Sequence, residues 1–186
     1  MKQTEYFKMI SGELYHADDL FLKVLRANAK TTYEKYNFDR TLTKDERMGL
    51  LTSLFKHIGA NVTIEAPFYF DYGLNIFIGD NFFANHDCIF LDVAPITIGN
   101  NVLLGPRVSL YTAGHPTDFE TRKSGLEFGL PITIEDNVWI GGNTVINPGV
   151  TIGENSVIGA GSVVTKNIPA NVVAVGNPCR IIRHLK

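Results

Sequence analysis

The 186-residue chain holds only two cysteines, Cys88 and Cys179, far apart and in unlike contexts. Such a pair makes neither a disulfide framework nor a metal-ligand spacing, and it fits a reduced, cytoplasmic protein. Long apolar runs are missing as well. Nothing approaches the ~20 residues that a membrane helix needs, and the opening MKQTEYFKMISGELY has no run of signal-peptide length. No membrane attachment is therefore expected. There is no marked excess of charge either: 17 basic residues stand against 19 acidic ones, so neither nucleic acid nor an anionic membrane is an expected partner. The local absence says more. After Glu154 no acidic residue follows, while Lys166, Arg180, Arg183 and Lys186 do, which gives the C-terminal end a positive field.

The length suits one domain with a sizeable core, or one domain with a small accessory element. Residues 1 to 57 read as helical. Asp18 or Asp19 can cap a segment whose apolar positions Leu22, Leu25, Ala29, Tyr33 and Tyr36 recur at helical spacing. Thr43 and Glu46 have the spacing of a capping box, Leu50, Leu51, Leu54 and Phe55 form an apolar face, and Gly59 supplies a stop.

From about residue 58 the texture changes to a period of six. IEDNVW, IGGNTV, INPGVT, IGENSV, IGAGSV and VTKNIP follow one another from Ile134 without losing register. An amphipathic helix repeats near 3.6 and a strand at 2, so a period of six with Gly, Asn and Asp after the aliphatic position means a short strand and a turn in every unit. That is a solenoid. If three hexads form one triangular coil, Ile134 should stack on Ile152 and Ile140 on Ile158, with backbone bonding between coils. Upstream, IGNNVL at Ile98, LGPRVS at Leu104 and LYTAGH at Leu110 keep the phase, and PITIGNNVLLG matches PITIEDNVWIG at an offset that reads as six hexads. Two-residue slips fall between Phe70 and Ile78 and between Phe90 and Ile98. After His115 the segment PTDFETRKSGLEFGLP is too long and polar for a hexad corner, and loops of this size are often functional.

The hexads resemble the left-handed parallel β-helix of the hexapeptide-repeat acyltransferases. With FYFDYGLNIFIGDNFFANHDCIFLDVAPITIGNNV, the YTAGHP segment and the GNPCRIIR ending, the whole chain is similar to the sugar O-acetyltransferases that act on maltose and galactosides. The resemblance implies a mainly β fold. It has an N-terminal helical subdomain at 1–57, the β-helix at 58–166 with a loop inserted at 116–131, and a capping tail at 167–186. It implies acetyl-CoA as co-substrate with no metal required, and a homotrimer with active sites between neighbours.

It also implies site residues. His115 becomes the general base that deprotonates a sugar hydroxyl for direct attack on the thioester, a task that suits an imidazole at neutral pH. Asn85, in FFANHD, positions the acceptor and stabilises the transition state. Asp71 and Asp92, in FDYG and FLDV, accept hydrogen bonds from sugar hydroxyls, and Asp18 contributes from the helical region. Galactoside-acting members place a serine where Asp71 stands, so FDYG and LDVAP favour a glucosyl acceptor. For the donor the resemblance points to Thr165 as well as to Gly142 and Ala160, which leave room for the pantetheine arm, and Lys166, Arg180 and Arg183 meet the coenzyme A phosphates. Trp139 walls the groove. Gly142 stands where some relatives have a serine.

Three other readings compete. A zinc carbonic anhydrase on this fold needs three converging histidines, and the solenoid offers only His86 and His115. The same donor site and base could acetylate an antibiotic or a polysaccharide. A non-catalytic scaffold would bind no coenzyme A and ignore changes at His115.

Overall fold

The computed structural model describes residues 4–186; the first three, part of the expected 1–57 segment, lie outside the described residues. The hexads form a left-handed β-helix with three parallel sheets as the faces of a prism. Within a coil the chain visits the faces in a fixed order. The first face holds His57–Ile58, Ile76–Ile78, Ile96–Ile98, Ile132–Ile134 and Thr151–Ile152. The second runs from Thr63–Ile64 through Trp139–Ile140 and Val157–Ile158, and the third from Phe68–Phe70 to Val163–Val164. Ile134 pairs with Ile152 and Ile140 with Ile158, as the period requires. Their side chains fill the prism axis and are fully buried, each worth about 1.5–3 kcal/mol.

The turns between the first and second faces place Asn61, Asn81, Asn101, Asn137, Asn155 and Asn171 in the left-handed region, at φ from 56° to 60°. Asparagine tolerates that conformation better than other residues with a Cβ. Here it also gains a partner, because each amide Nδ2 donates to the Oδ1 of the next asparagine at 2.9 to 3.1 Å, from Asn61 up to Asn171. The result is a continuous amide ladder along the first edge of the prism.

The irregularities all fall on one other edge, where the chain passes from the third face back to the first. On the lower coils Phe70 and Ile78, and Phe90 and Ile98, are eight apart rather than six, so rungs such as Ile78 and Ile98 pair at an offset of 20. Ile98 pairs directly with Ile134, 36 residues on, whereas Ile134 pairs with Ile152 after 18. The offset between the two matching segments is therefore one coil plus an 18-residue insertion, not six successive hexads of coil. The slips and the insertion stack on one another.

The insertion is also not a free loop. Ala113–Gly114 pairs antiparallel with Leu126–Gly129, which pairs in turn with Tyr15–His16 from the N-terminal region, and a short helix, Phe119–Lys123, tops the hairpin. Its two ends meet where Leu130 N–H donates to Thr112 O at 2.9 Å.

Helices α1 (Glu5–Ile10), α2 (Leu20–Phe38) and α3 (Lys44–Thr52) precede the coils. Asp19 caps α2 by accepting from the N–H groups of Phe21 and Leu22, and Thr43 and Glu46 close the capping box of α3. Helix α3 ends at Thr52, capped by Ser53 and short of Gly59, and His57 already pairs with Phe77. Gly59 is instead a coil corner, where a Cβ would come within 2.3 Å of the Asp80 carboxylate. The helices cover the open first coil. Asn37 both donates to Phe68 O and accepts from Phe68 N–H at 2.9 Å, Tyr36 OH donates to Ile64 O, and Tyr33 packs edge-on against Tyr69 and Phe70. Exposed strand groups at a sheet end are thereby satisfied. At the far end the tail does more than cap. Val172–Val175 adds another parallel rung to the second face beyond residue 166, and Arg180–His184 folds back antiparallel on it.

Candidate functional site

The edge that carries the slips is built around a buried carboxylate. Inward-pointing residues alternate along Cys88, Phe90 and Asp92, so Asp92 is drawn into the interior at 0% exposure. Its Oδ1 accepts from the N–H groups of Asp71 at 3.0 Å and Tyr72 at 2.8 Å, and its Oδ2 from Asn75 N–H at 3.3 Å. Burial pushes this carboxyl up to about 8 against the pull of those donors. Expected to accept from sugar hydroxyls, Asp92 is instead fully buried in the single chain and outside the lining of the adjacent cavity. It shapes the extended corner that presents Asp71.

Asp71 has the opposite parity and faces outward into a cavity of about 370 Å³ lined by Tyr15, Ala17, Asp18, Arg26, Tyr72 and Glu127, among others. Its carboxylate accepts no hydrogen bond among the described residues. Burial raises its pKa to about 6, with Arg26 pulling it down and Glu127 pushing it up. Arg26 is held in place: one guanidinium nitrogen donates to Tyr72 OH at 2.6 Å and the other to Ala17 O at 2.7 Å. Tyr15 OH donates to Glu127 Oε2 at 2.9 Å, and burial together with that carboxylate holds the phenol protonated well above its usual range. Asp18 stands exposed at the mouth, ion-paired with Lys23 at 2.9 Å.

The same hairpin leads to His115. Gly114 pairs with Phe128 at the last rung of the hairpin, and His115 follows directly. A Cβ on Gly114 would press to 2.6 Å against the Phe128 ring, so the approach to His115 depends on that glycine. Beyond it the imidazole is exposed and has no hydrogen-bond partner among the described residues.

A second group of expected residues lies elsewhere, where the second face turns into the third. Asn85 follows Phe83–Ala84, and two residues beyond Trp139–Ile140 and Val157–Ile158 come Gly142 and Ala160. Asn85 Oδ1 accepts from His86 N–H at 2.8 Å, which leaves the amide Nδ2 as the free, outward donor. Gly142 is demanded by packing within the chain itself, since a Cβ would lie 2.9 Å from Pro106 O and 3.1 Å from its ring. Trp139 is 54% exposed on the adjoining face, beside exposed Leu103. Lys166 and Arg180 line one shallow cavity at the C-terminal end, with Thr165 and Arg183 also exposed there.

One chain thus brings Asp71, Asp18 and His115 to one edge, and Asn85, Gly142 and Ala160 to another. Tyr15, Arg26, Tyr72 and Glu127 were not singled out from sequence. Arg26 left a trace, since it lies on the apolar stripe of α2 between Leu22 and Ala29. Glu127 left none, because its place depends on pairing with a strand more than a hundred residues away.

Residues 131–166 match the bacterial transferase hexapeptide (six repeats) family, and residues 8–59 match the maltose acetyltransferase hexapeptide capping motif. The chain is 51% identical over 185 residues to the galactoside O-acetyltransferase of Escherichia coli (strain K12), covering 100% of this chain and 90% of that one. A maltose O-acetyltransferase from Clostridium difficile 630 has the same fold, with a TM-score of 0.97 at 50% identity and 100% of both chains covered. The structure of a galactoside acetyltransferase in complex with coenzyme A gives a TM-score of 0.95 at 45% identity, over 100% of this chain and 92% of that one.

Proposed function

The chain belongs to the hexapeptide-repeat sugar O-acetyltransferases, the family of the galactoside and maltose enzymes, and on that premise we propose that it moves the acetyl group of acetyl-CoA to a hydroxyl of a glucosyl sugar, with His115 as general base. One observation carries this reading: His115 stands exposed and without a protein partner at the end of a hairpin that also lines a pocket whose Asp71 carboxylate lacks a donor.

Asp71 accepts a hydrogen bond from the sugar and fixes the ring. Neutral His115 takes the proton of the reacting hydroxyl as its oxygen attacks the thioester carbonyl. A carbon–oxygen bond forms, the carbon–sulfur bond breaks as the tetrahedral species collapses, and the imidazolium returns its proton to the departing sulfur. The free Nδ2 of Asn85 donates to the oxyanion. Asn85 and His115 occupy different edges of one prism, so they meet only between prisms packed side by side. A homotrimer of parallel chains supplies that arrangement. Gly142, Ala160, Trp139 and Thr165 then border the pantetheine arm, and Lys166, Arg180 and Arg183 meet the phosphates.

The test is coenzyme A release from acetyl-CoA with maltose, glucose and a galactoside, comparing wild type with His115→Ala. Loss of sugar-dependent release by a factor of about 10² to 10⁴ is expected from removing a general base. Equal rates in the two proteins would sink the mechanism.

A further inference from the structure

The acceptor pocket carries an imbalance of charge. Asp18 is neutralised by Lys23 at its mouth, which leaves two carboxylates, Asp71 and Glu127, against the single guanidinium of Arg26. That guanidinium donates one N–H from each terminal nitrogen to Tyr72 OH and Ala17 O, which fixes its plane and shares its charge with groups of the chain itself. Glu127 spends only Oε2, on Tyr15; Oε1 has no partner among the described residues. Asp71 has both oxygens free for a ligand. At about 370 Å³ the cavity lies near the small end of ligand sites and suits a single sugar ring.

We propose that Glu127 is a specificity-determining residue of the acceptor pocket: with Asp71 it selects sugars that carry an ammonium group over neutral ones and rejects those that carry a phosphate. The reason is electrostatic. In a partly desolvated site one uncompensated carboxylate attracts a cation and repels an anion more strongly than in water, and a pairing with geometry as well as charge, a carboxylate accepting from an ammonium, is the stronger kind of hydrogen bond. The residue sits on the strand that pairs with Ala113–Gly114, immediately before His115, so the group that reads charge and the group that removes the proton are carried by one hairpin.

This inference rests on the reading of the pocket as the acceptor site, and its test is kept separate from turnover. Binding of glucosamine, glucose and glucose 6-phosphate to the coenzyme A complex is measured by calorimetry near neutral pH, for wild type, Glu127→Gln and Glu127→Asp. Wild type is expected to bind glucosamine about tenfold more tightly than glucose, with glucose 6-phosphate weakest. Glu127→Gln keeps an oxygen for Tyr15 and should lose most of that preference while holding coenzyme A as before; Glu127→Asp should keep it. Equal affinity of wild type for glucosamine and glucose, a preference that survives Glu127→Gln, or no measurable binding of glucosamine overturns the proposal. If none of the sugars is acetylated, the acetyl-transfer reading fails, and the binding series still decides the role of Glu127.

Discussion

Asp71 should make acceptor binding depend on pH in a window where an ordinary aspartate would be silent. Burial lifts its pKa from 3.8 to about 6, so the carboxyl is about 90% ionised at pH 7 and about 10% at pH 5. If the sugar donates to the carboxylate, affinity falls about tenfold over that interval, or about 1.4 kcal/mol, and levels off above pH 7. The sign follows from linkage. A ligand that prefers the ionised form lowers the pKa on binding, so binding near pH 6 releases about half a proton. A rate measurement would fold the role of His115 into the profile. The assay is therefore calorimetric titration of the sugar into the coenzyme A complex of His115→Ala, in buffers of different ionisation enthalpy. Adding Asp71→Asn should flatten the profile and abolish proton release, while weakening binding at pH 7 by about 10-fold or more, as expected on losing a hydrogen bond to a charged group. An unchanged slope in the double variant would show that some other group is titrating. A flat profile in His115→Ala alone would mean that Asp71 does not touch the sugar.

Two further outcomes test the framework around the site. Asn101→Ala removes ladder bonds to Asn81 and Asn137 and puts an ordinary side chain at φ 57°, so it should cost about 2–3 kcal/mol in urea melts, whereas Asn101→Gly should recover the ~1 kcal/mol due to backbone strain; equal losses would remove strain from the account. Gly142→Ser should lower stability by about 1–2 kcal/mol and raise KM for acetyl-CoA more than for the sugar, because its Cβ presses on Pro106 in the groove between coils; an unaltered melting temperature would show that the coils yield there without cost.

How much of this was legible depended on range. The hexads predicted the pairings of Ile134 with Ile152 and Ile140 with Ile158 because each side chain repeats its own environment one coil later. The slips at Phe70 and Phe90 were visible, but not that they share an edge with the insertion, since that needs the three-dimensional register. The pairing of Leu126–Gly129 with Tyr15–His16 joins short strands without periodicity across most of the chain. The burial of Asp92 has a local reason. The alternation from Cys88 through Phe90 points it inward, and three backbone N–H groups are there to meet its carboxylate. His115, Gly142 and Ala160 could be proposed from the sequence because they punctuate or obey the repeat and match the family's motifs. Arg26 and Glu127 do neither.

The pinch between Thr112 and Leu130 makes the hairpin a cassette. Both of its ends enter the prism at one backbone hydrogen bond, and the rungs above and below, Ile98 and Ile134, pair as though nothing had been inserted. The hairpin brings Glu127 to the cavity, whereas Tyr15, Arg26 and Asp71 reach it from the N-terminal region and the coil. A chain built this way can vary the residues its hairpin displays while leaving untouched the rungs that fold it.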